Sequence, residues 1–235
     1  MTPSENPKRF YKSVATTGDE PFQIQLDGRP LKTPAKAELS LPTITLAQAI
    51  AEEWDRQNER LDIARMHITR LANVAIDRTP ETRAAMAQEI ANYVGTDLLC
   101  HLANGPGELV ERQARIWGPI RDWAGQSLNV VTVPVEGIMA ARQPPASLEA
   151  AAEYALSLDD FRLTGLAYAC GLFGSALLAM AASEAYVTAE EAFAISRLDE
   201  DYQIERWGED DEARIAKEAR EVEAKAVGVW FEALS

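Results

Sequence analysis

Cysteine and histidine are scarce in this chain, whose 235 residues include two of each. Cys100 and Cys170 lie far apart, and neither belongs to a CxxC pair. The sequence therefore has neither a disulfide framework nor the ligand spacing of a zinc site, and it favours a reducing compartment. His67 and His101 fall on different predicted helices, without a ligand partner three or four positions away. Isolated histidines of this kind are more often structural than metal-binding.

The motifs of the common enzyme classes are also missing. The sequence contains no lysine-bearing phosphate loop, and Gly105-Pro106-Gly107 is not the glycine pattern of a dinucleotide site. Gly174-Ser175-Ala176 lacks the flanking glycine of a nucleophile elbow and lies inside an apolar segment. On motif chemistry we therefore expect no cofactor and no bound metal.

Basic residues are outnumbered, 23 against 37 acidic ones, and the formal net charge is -14. The acids are densest from Asp199 to Glu212, where eight stand against the single Arg206. Such a field repels nucleic acid and anionic membranes and attracts basic protein surfaces or metal cations. The acidic run can be a solvated face that keeps the protein soluble, or it can be a binding surface.

The least polar stretch runs from Leu163 to Ala182 and contains no charged residue. Its length would allow a membrane span, but it is rich in alanine and glycine and its flanks carry acids. A helix that is apolar on every side belongs in the core of a soluble helical domain. We therefore predict one buried central helix here. The amino terminus has neither an apolar nor an arginine-rich targeting segment, so we expect a cytoplasmic protein.

The first forty residues have the pattern of strands. Phe22–Leu26 alternates apolar and polar side chains, and Asp27-Gly28 after it is a strong signal for a tight hairpin. The return strand would be Arg29–Thr33. This segment predicts a small antiparallel β unit.

Helical spacing begins near Leu46, where Thr45 and Gln48 form a predicted capping box. Further helices are predicted over residues 63–77, from 79 to a point before Gly105, over 108–128 with a kink or break at Pro119, over 188–207 and from 209 onward. The last carries an apolar stripe of Ile215, Ala219, Val222, Ala226 and Val229. The predicted fold class is α+β: a small N-terminal domain with a β-hairpin, residues 1–60, then a larger all-helical domain, residues 61–235, built around helix 163–182.

Two acidic segments, Asp159-Asp160 and residues 199–212, could bind a divalent cation through oxygen ligands. Successive acids on one helix point to different sides, so they seldom converge on one ion. Trp207 stands out because it lies at a predicted helix end, next to Gly208 and inside the acidic run. An amphipathic aromatic among carboxylates is typical of a protein-binding hot spot. A metal-dependent small-molecule enzyme using the acids at 159–160 or 199–212 is the alternative.

A series of blocks follows in fixed order along nearly the whole chain: Lys8–Lys12, Leu26–Pro34, Ala51–Asp55, Thr69–Asn73, Ala75–Asp77, Asp97–Cys100, Trp117, Asp122–Ala124, Leu172–Ser175, Leu198–Glu200 with Gln203, and Trp207–Asp210. In these blocks the chain resembles the F1-ATPase assembly chaperones that bind the F1 α subunit, the family of mitochondrial F1 assembly factor 2 and its α-proteobacterial relatives. The order of the blocks is far more specific than any one of them.

The resemblance implies a small α+β domain joined to a larger helical one, and no catalysis. It implies a partner, the unassembled F1 α subunit, whose exposed interface the chain shields until the β subunit replaces it. Neither nucleic acid nor membrane is expected as a partner, and the free protein is expected to be monomeric. The expected location is the bacterial cytoplasm, and the mitochondrial matrix for eukaryotic relatives. From the position of Trp207 we predict a partner-binding site formed by Asp199, Glu200, Gln203, Glu205, Trp207, Gly208, Glu209 and Asp210.

Overall fold

The computed structural model describes residues 6–137, 139 and 141–235. Residues 1–5, part of the amino terminus in which no targeting segment was found, lie outside the described residues. The described chain forms two compact units. The first contains the residues up to Glu81 together with Val229–Ser235, and the second contains Thr82–Gly228. The separate domains expected at residues 1–60 and 61–235 stay a prediction.

The first unit contains a small antiparallel sheet of three strands in the order β1-β2-β3. Their bounds are Val14–Thr16 for β1, Ile24–Leu26 for β2 and Arg29–Pro30 for β3. The turn from β2 to β3 holds Asp27 at φ 49° and Gly28 at φ 76°, the positive values that a type I′ turn requires. The hairpin predicted from this dipeptide is therefore confirmed.

Two helices complete the ordered elements of this unit, α1 over Ile44–Asp55 and α2 over His67–Asp77, with a short 3-10 helix at Ile63–Arg65 between them. The predicted cap at Thr45 is wrong, because Thr43 caps α1 by accepting a 3.1 Å hydrogen bond from the amide of Leu46. The spacing of Leu46, Ile50, Trp54 and Leu61 also predicts one inward helical face. Leu46, Ile50 and Trp54 are buried on α1 as predicted, whereas Leu61 is buried but lies beyond the end of the helix at Asp55.

The C-terminal residues belong to this first unit as well. The hydroxyl of Thr43, just before α1, donates a 2.6 Å hydrogen bond to the main-chain oxygen of Ala233. The unit therefore combines residues from the two ends of the described chain.

The second unit is helical and contains most of the remaining chain. Its helices are α3 Thr79–Gly95, which begins just before the unit boundary, α4 Gly107–Leu128, α5 Pro145–Ser157, α6 Asp160–Phe173, α7 Ala176–Ser183, α8 Ala189–Ser196, α9 Leu198–Trp207 and α10 Asp211–Ala233, which ends beyond it. A two-stranded parallel sheet joins β4, His101–Leu102, to β5, Val135–Glu136. A small antiparallel sheet followed by a larger helical region confirms the α+β class.

The predicted single helix over residues 163–182 is wrong: the segment forms α6 and α7, with a break between them. Gly174 ends α6 in the left-handed region at φ 65°. The hydroxyl of Ser175 then caps α7 by accepting a 3.1 Å hydrogen bond from the amide of Leu178. The burial predicted for the stretch is confirmed, because nearly all of its apolar side chains are excluded from solvent.

A carboxylate from another part of the chain fixes this break. Asp97 is fully buried, and it accepts hydrogen bonds from the Ser175 hydroxyl at 2.8 Å and from the Leu177 amide at 3.0 Å. A third bond comes from the amide of Leu99 at 3.0 Å. The first amides of a helix have no partner within it, so a buried acceptor at this point stabilises the start of α7.

One further helix prediction needs correction, and one of the two alternatives at Pro119, the break, is excluded. The segment predicted as one helix from Thr188 to Trp207 is α8 and α9, separated at Arg197. The Ser196 hydroxyl donates to the carbonyl of Phe193 at 2.7 Å, a local bond of the kind that competes with helix continuation. By contrast, Pro119 does not divide its helix, since α4 runs without interruption from Gly107 to Leu128.

Candidate protein-binding site

The acidic segment folds as most of α9, a short turn and the first residues of α10. α9 ends at Gly208, whose φ of 85° is in the range that glycine adopts at little steric cost. Asp210 accepts a 2.8 Å hydrogen bond from the amide of Ala213 and thereby caps α10. One of the predicted contact residues therefore also has a role in the fold.

A groove of about 450 Å³ lies between α9 and α10 and is called the α9–α10 groove below. The predicted contact residues that line it are Glu200, Gln203, Trp207, Gly208, Glu209 and Asp210. Trp207 is 79% exposed although it is the largest apolar side chain in the groove. The structure thus brings most of the predicted site together on one surface.

Asp199 and Glu205 lie on the other side of α9, against α4. Asp199 accepts a 2.7 Å hydrogen bond from the side-chain amide of Gln113, and partial burial raises the pKa of its carboxyl. Glu205 accepts two bonds from the guanidinium of Arg112, at 3.0 and 2.9 Å, and these hold its pKa below the usual value. Neither residue lines the groove, so their part in the predicted site is to fasten α9 to α4.

The groove also contains three cations that the sequence reasoning missed: Arg197, Lys217 and Arg220. The Lys217 ammonium lies 3.0 Å from the carboxylate of Asp201, which is also 3.8 Å from the Arg197 guanidinium. The groove is therefore a surface of mixed charge and not a uniform acidic field. Two of these cations could have been predicted to share a surface, because Lys217 and Arg220 stand three positions apart on one predicted helix.

Tyr202 is buried, unlike Trp207, although both are aromatic residues of α9. The guanidinium of Arg206 lies 5.0 Å from the centre of the Tyr202 ring and also pairs with Glu108 on α4. Tyr202 and Arg206 therefore anchor the helix, and the aromatic side chain available to a partner is that of Trp207.

The two acids at 159–160, proposed for a metal site, have other partners. Asp159 caps α6 by accepting a 2.9 Å bond from the amide of Arg162, and Asp160 forms an ion pair with Arg83. Across residues 6–137, 139 and 141–235, no group of three or more His, Cys, Asp or Glu side chains could hold a metal ion. Among those same residues no helix is both long and apolar enough to cross a lipid bilayer.

An exposed tryptophan in a groove of mixed charge is typical of a protein that binds other proteins. Comparison with known proteins narrows that class. The sequence model of the family described as ATP12 chaperone protein matches residues 8–125. The mitochondrial Atp12 protein of Schizosaccharomyces pombe is 28% identical over an alignment of 221 residues, and the match covers 88% of this chain and 75% of that protein.

Solved structures agree with this match over the whole chain. Atp12 from Paracoccus denitrificans is 37% identical, with a TM-score of 0.89, and the match covers 97% of this chain and 99% of that one. A point mutant of the same protein matches with the same identity and TM-score. A protein of Agrobacterium tumefaciens is 39% identical with a TM-score of 0.91, covering 97% and 87% of the two chains.

The chain belongs to the ATP12 chaperone family. The resemblance drawn from the sequence blocks is therefore confirmed, and the family supports a role as a chaperone in F1-ATPase assembly. This is a family of chaperones and not of enzymes.

Proposed function

We propose that this chain binds the unassembled F1 α subunit and shields its subunit interface until the β subunit replaces it. Membership of the ATP12 chaperone family supports the general role. The observation that carries the finer proposal is Trp207, which stays 79% exposed and lines a groove of mixed charge on the folded helical unit. An unassembled subunit exposes an apolar interface, and a large aromatic side chain is suited to cover part of it.

The contact would be formed by the α9–α10 groove, with Glu200, Gln203, Gly208, Glu209 and Asp210 around Trp207. Charges of both signs in the groove would orient a partner and contribute little net affinity. Limited affinity is what the function needs, since the chaperone must leave when the β subunit arrives. Asp199 and Glu205 would contribute indirectly by holding α9 on α4.

The first experiment measures protection of the α subunit. Denatured F1 α subunit is diluted into buffer with and without the chain, without nucleotide, and aggregation is followed by light scattering. We expect the chain to suppress aggregation at equimolar concentration. Equal aggregation with and without the chain would refute the proposal.

The second experiment locates the contact. Trp207→Ala should weaken binding of the α subunit about thirtyfold, the effect of losing a hot spot worth about 2 kcal/mol. Leu156→Ala is the matched control, because Leu156 is also an exposed apolar residue of the second unit and lies outside the groove. Both variants should melt close to wild type. Equal binding by both would leave the chaperone role intact and move the contact elsewhere.

We also infer a cytoplasmic location and a monomeric free state. The charge of -14 opposes self-association, which supports the second inference. The relative from Schizosaccharomyces pombe is named as mitochondrial. Sedimentation of the purified chain would test the monomeric state, and fractionation of its own cells would test the location.

A further inference from the structure

The outer strand of the small sheet, β1, has a free edge. Ser13 accepts a 3.0 Å bond from the amide of Asp27, and the amide of Thr17 donates to Gln23 at 2.9 Å. Ala15 lies opposite Gln25 in the same register. Residues 13, 15 and 17 therefore direct their main-chain groups toward β2, because hydrogen-bonded positions alternate along an antiparallel pair.

The same alternation directs the N–H and C=O groups of Val14 and Thr16 away from β2. Within the described residues these groups have no hydrogen-bond partner. β1 is also without the residues that usually protect an edge, since Val14–Thr16 contains neither charge nor proline. The opposite edge strand, β3, consists of Arg29 and Pro30, so only the β1 edge is open to pairing.

A second observation concerns the space beside this edge. A groove of about 420 Å³ lies between β1 and the α1 side chains of Gln48, Ala51, Glu52, Asp55 and Arg56. The small side chains of Ala15 and Ala51 leave room above the main chain. Neighbouring strands of a sheet lie about 4.8 Å apart, so an added strand needs open space along the edge.

The acids along the wall of this groove already have partners within the first unit. Glu52 lies 2.7 Å from the Arg56 guanidinium, and Asp55 lies 3.3 Å from that of Arg9. These exposed pairs leave little charge free to select an ion or a small ligand. Within the described part of the chain, the main-chain donors and acceptors of Val14 and Thr16 stay unpaired beside this groove.

We propose that the β1 edge pairs with an extended segment of the client polypeptide, which adds a fourth strand to the sheet in the groove beside α1. This inference rests on the proposed function, and it names a second contact for the same partner. An extended segment fits because it offers unpaired N–H and C=O groups at strand spacing, whereas a helix satisfies its own.

A second copy of this chain is a poorer occupant, because two molecules that each carry a charge of -14 repel one another. A client is a different polypeptide, so this repulsion between identical molecules does not apply to it. β1 has three residues and spans about 10 Å, so the pairing is short. A short pairing is weak and therefore compatible with release of the client.

The first test is residue-resolved amide hydrogen exchange of the full chain, alone and with purified F1 α subunit. We expect exchange at Val14 and Thr16 to slow at least tenfold when the α subunit is bound. Ala15, whose amide already faces β2, is the internal reference and should change much less. The chain alone at rising concentration is measured in parallel.

The second test removes one outward donor. Thr16→Pro deletes the N–H that would pair with the client and is tolerated best on an edge. Thr16→Val keeps that N–H and is the matched control. We expect about tenfold weaker binding of the α subunit by Thr16→Pro and no more than a twofold change for Thr16→Val. If Thr16→Pro does not fold, the exchange measurement decides alone.

The outcomes separate the two proposals. Binding of the α subunit with unchanged exchange at Val14 and Thr16 would overturn the strand pairing and leave the chaperone function intact. Absence of any binding would overturn the function and, with it, the pairing. Slower exchange in the chain alone as its concentration rises would identify a second copy as the occupant and overturn the client pairing.

Discussion

Two carboxylates, one partly and one fully buried, stabilise the starts of two helices in this structure. Glu53 on α1 accepts hydrogen bonds of 2.7–2.8 Å from the amides of Ile68 and Thr69 and from the Thr69 hydroxyl, at the start of α2. Asp97 has the same role at the start of α7. In both cases burial raises the pKa of the carboxyl despite the donors around it. Residues in the shared sequence blocks are therefore structural in these places.

The raised pKa of Asp97 predicts how the stability of the fold depends on pH. Burial raises its pKa from 3.8 to about 6, so between these values the folded chain binds more protons than the unfolded chain. The stability due to this group is present below about pH 4 and is lost as the pH rises to about 6. The loss is on the order of 3 kcal/mol.

The measurement compares wild type with Asp97→Asn, which cannot titrate. Urea unfolding is followed for both between pH 4 and pH 7. We expect the free energy of unfolding of wild type to fall relative to the variant as the pH rises. A constant difference between the two proteins would show that the pKa of Asp97 is not raised.

Trp54 tests the distinction between structural and binding aromatics. It is 9% exposed, and its main-chain oxygen accepts a 2.6 Å bond from the Tyr11 hydroxyl. We expect Trp54→Ala to lower the free energy of unfolding by roughly 3–5 kcal/mol, because the ring leaves a cavity in the first unit. Trp54→Phe, which keeps an aromatic ring, should cost much less. An unchanged unfolding midpoint for Trp54→Ala would indicate that Trp54 belongs to the binding surface and not to the core.

At the scale of the element, α10 departs from what its sequence pattern indicates. The stripe of Ile215, Ala219, Val222 and Ala226 has helical period, as a core-facing stripe does. In the structure Ile215 is 59% and Val222 53% exposed, while Ala224 and Val227 are buried. The spacing of apolar residues identifies a helix, but it does not show which of two apolar faces packs against the core. That choice depends on residues distant in sequence.

This difference gives a prediction with a matched pair. Ile215→Lys should change the free energy of unfolding by no more than about 0.5 kcal/mol, because the side chain is already in water. Val227→Ala, a smaller change on the same helix, should cost about 2 kcal/mol because Val227 is fully buried. Urea unfolding of both variants measures this. A larger effect of Ile215→Lys would mean that the stripe packs against the protein.

Charge-reversal variants distinguish the role of the acids on α9 from that of the acids in the turn after it. Glu205→Lys and Glu209→Lys together should weaken binding of the α subunit, most at low salt. Glu209→Lys should leave the melting temperature near wild type, whereas Glu205→Lys removes the two bonds from Arg112 that fasten α9 to α4 and should lower it. Only Glu209 lines the groove, so we expect Glu209→Lys alone to reproduce most of the loss. Association rates at two salt concentrations measure the effect. If the double variant binds the α subunit as well as wild type does, the acidic run is a solvated surface and not part of the contact.

At the scale of the whole molecule, the hairpin was predicted from a local signal, whereas the cap at Thr45 was wrong and features that depend on distant residues were missed. The Asp27-Gly28 hairpin depends on the backbone preferences of two neighbouring residues, and it was found. The break at Gly174 depends on Asp97, which no local pattern connects to it. Most of the groove was predicted because Trp207 and its acids are contiguous. Arg197 was missed because it reaches the groove through a helix break that the sequence did not indicate.

The bond from Thr43 to Ala233 has a consequence for synthesis of the protein on the ribosome. The first unit needs Val229–Ser235, which are translated only after all of Thr82–Gly228. During synthesis the amino-terminal segment therefore lacks Val229–Ser235 and cannot complete its unit until the helical segment has left the exit tunnel. Codon changes that slow translation of the helical segment should prolong the exposure of the nascent amino-terminal segment to proteases.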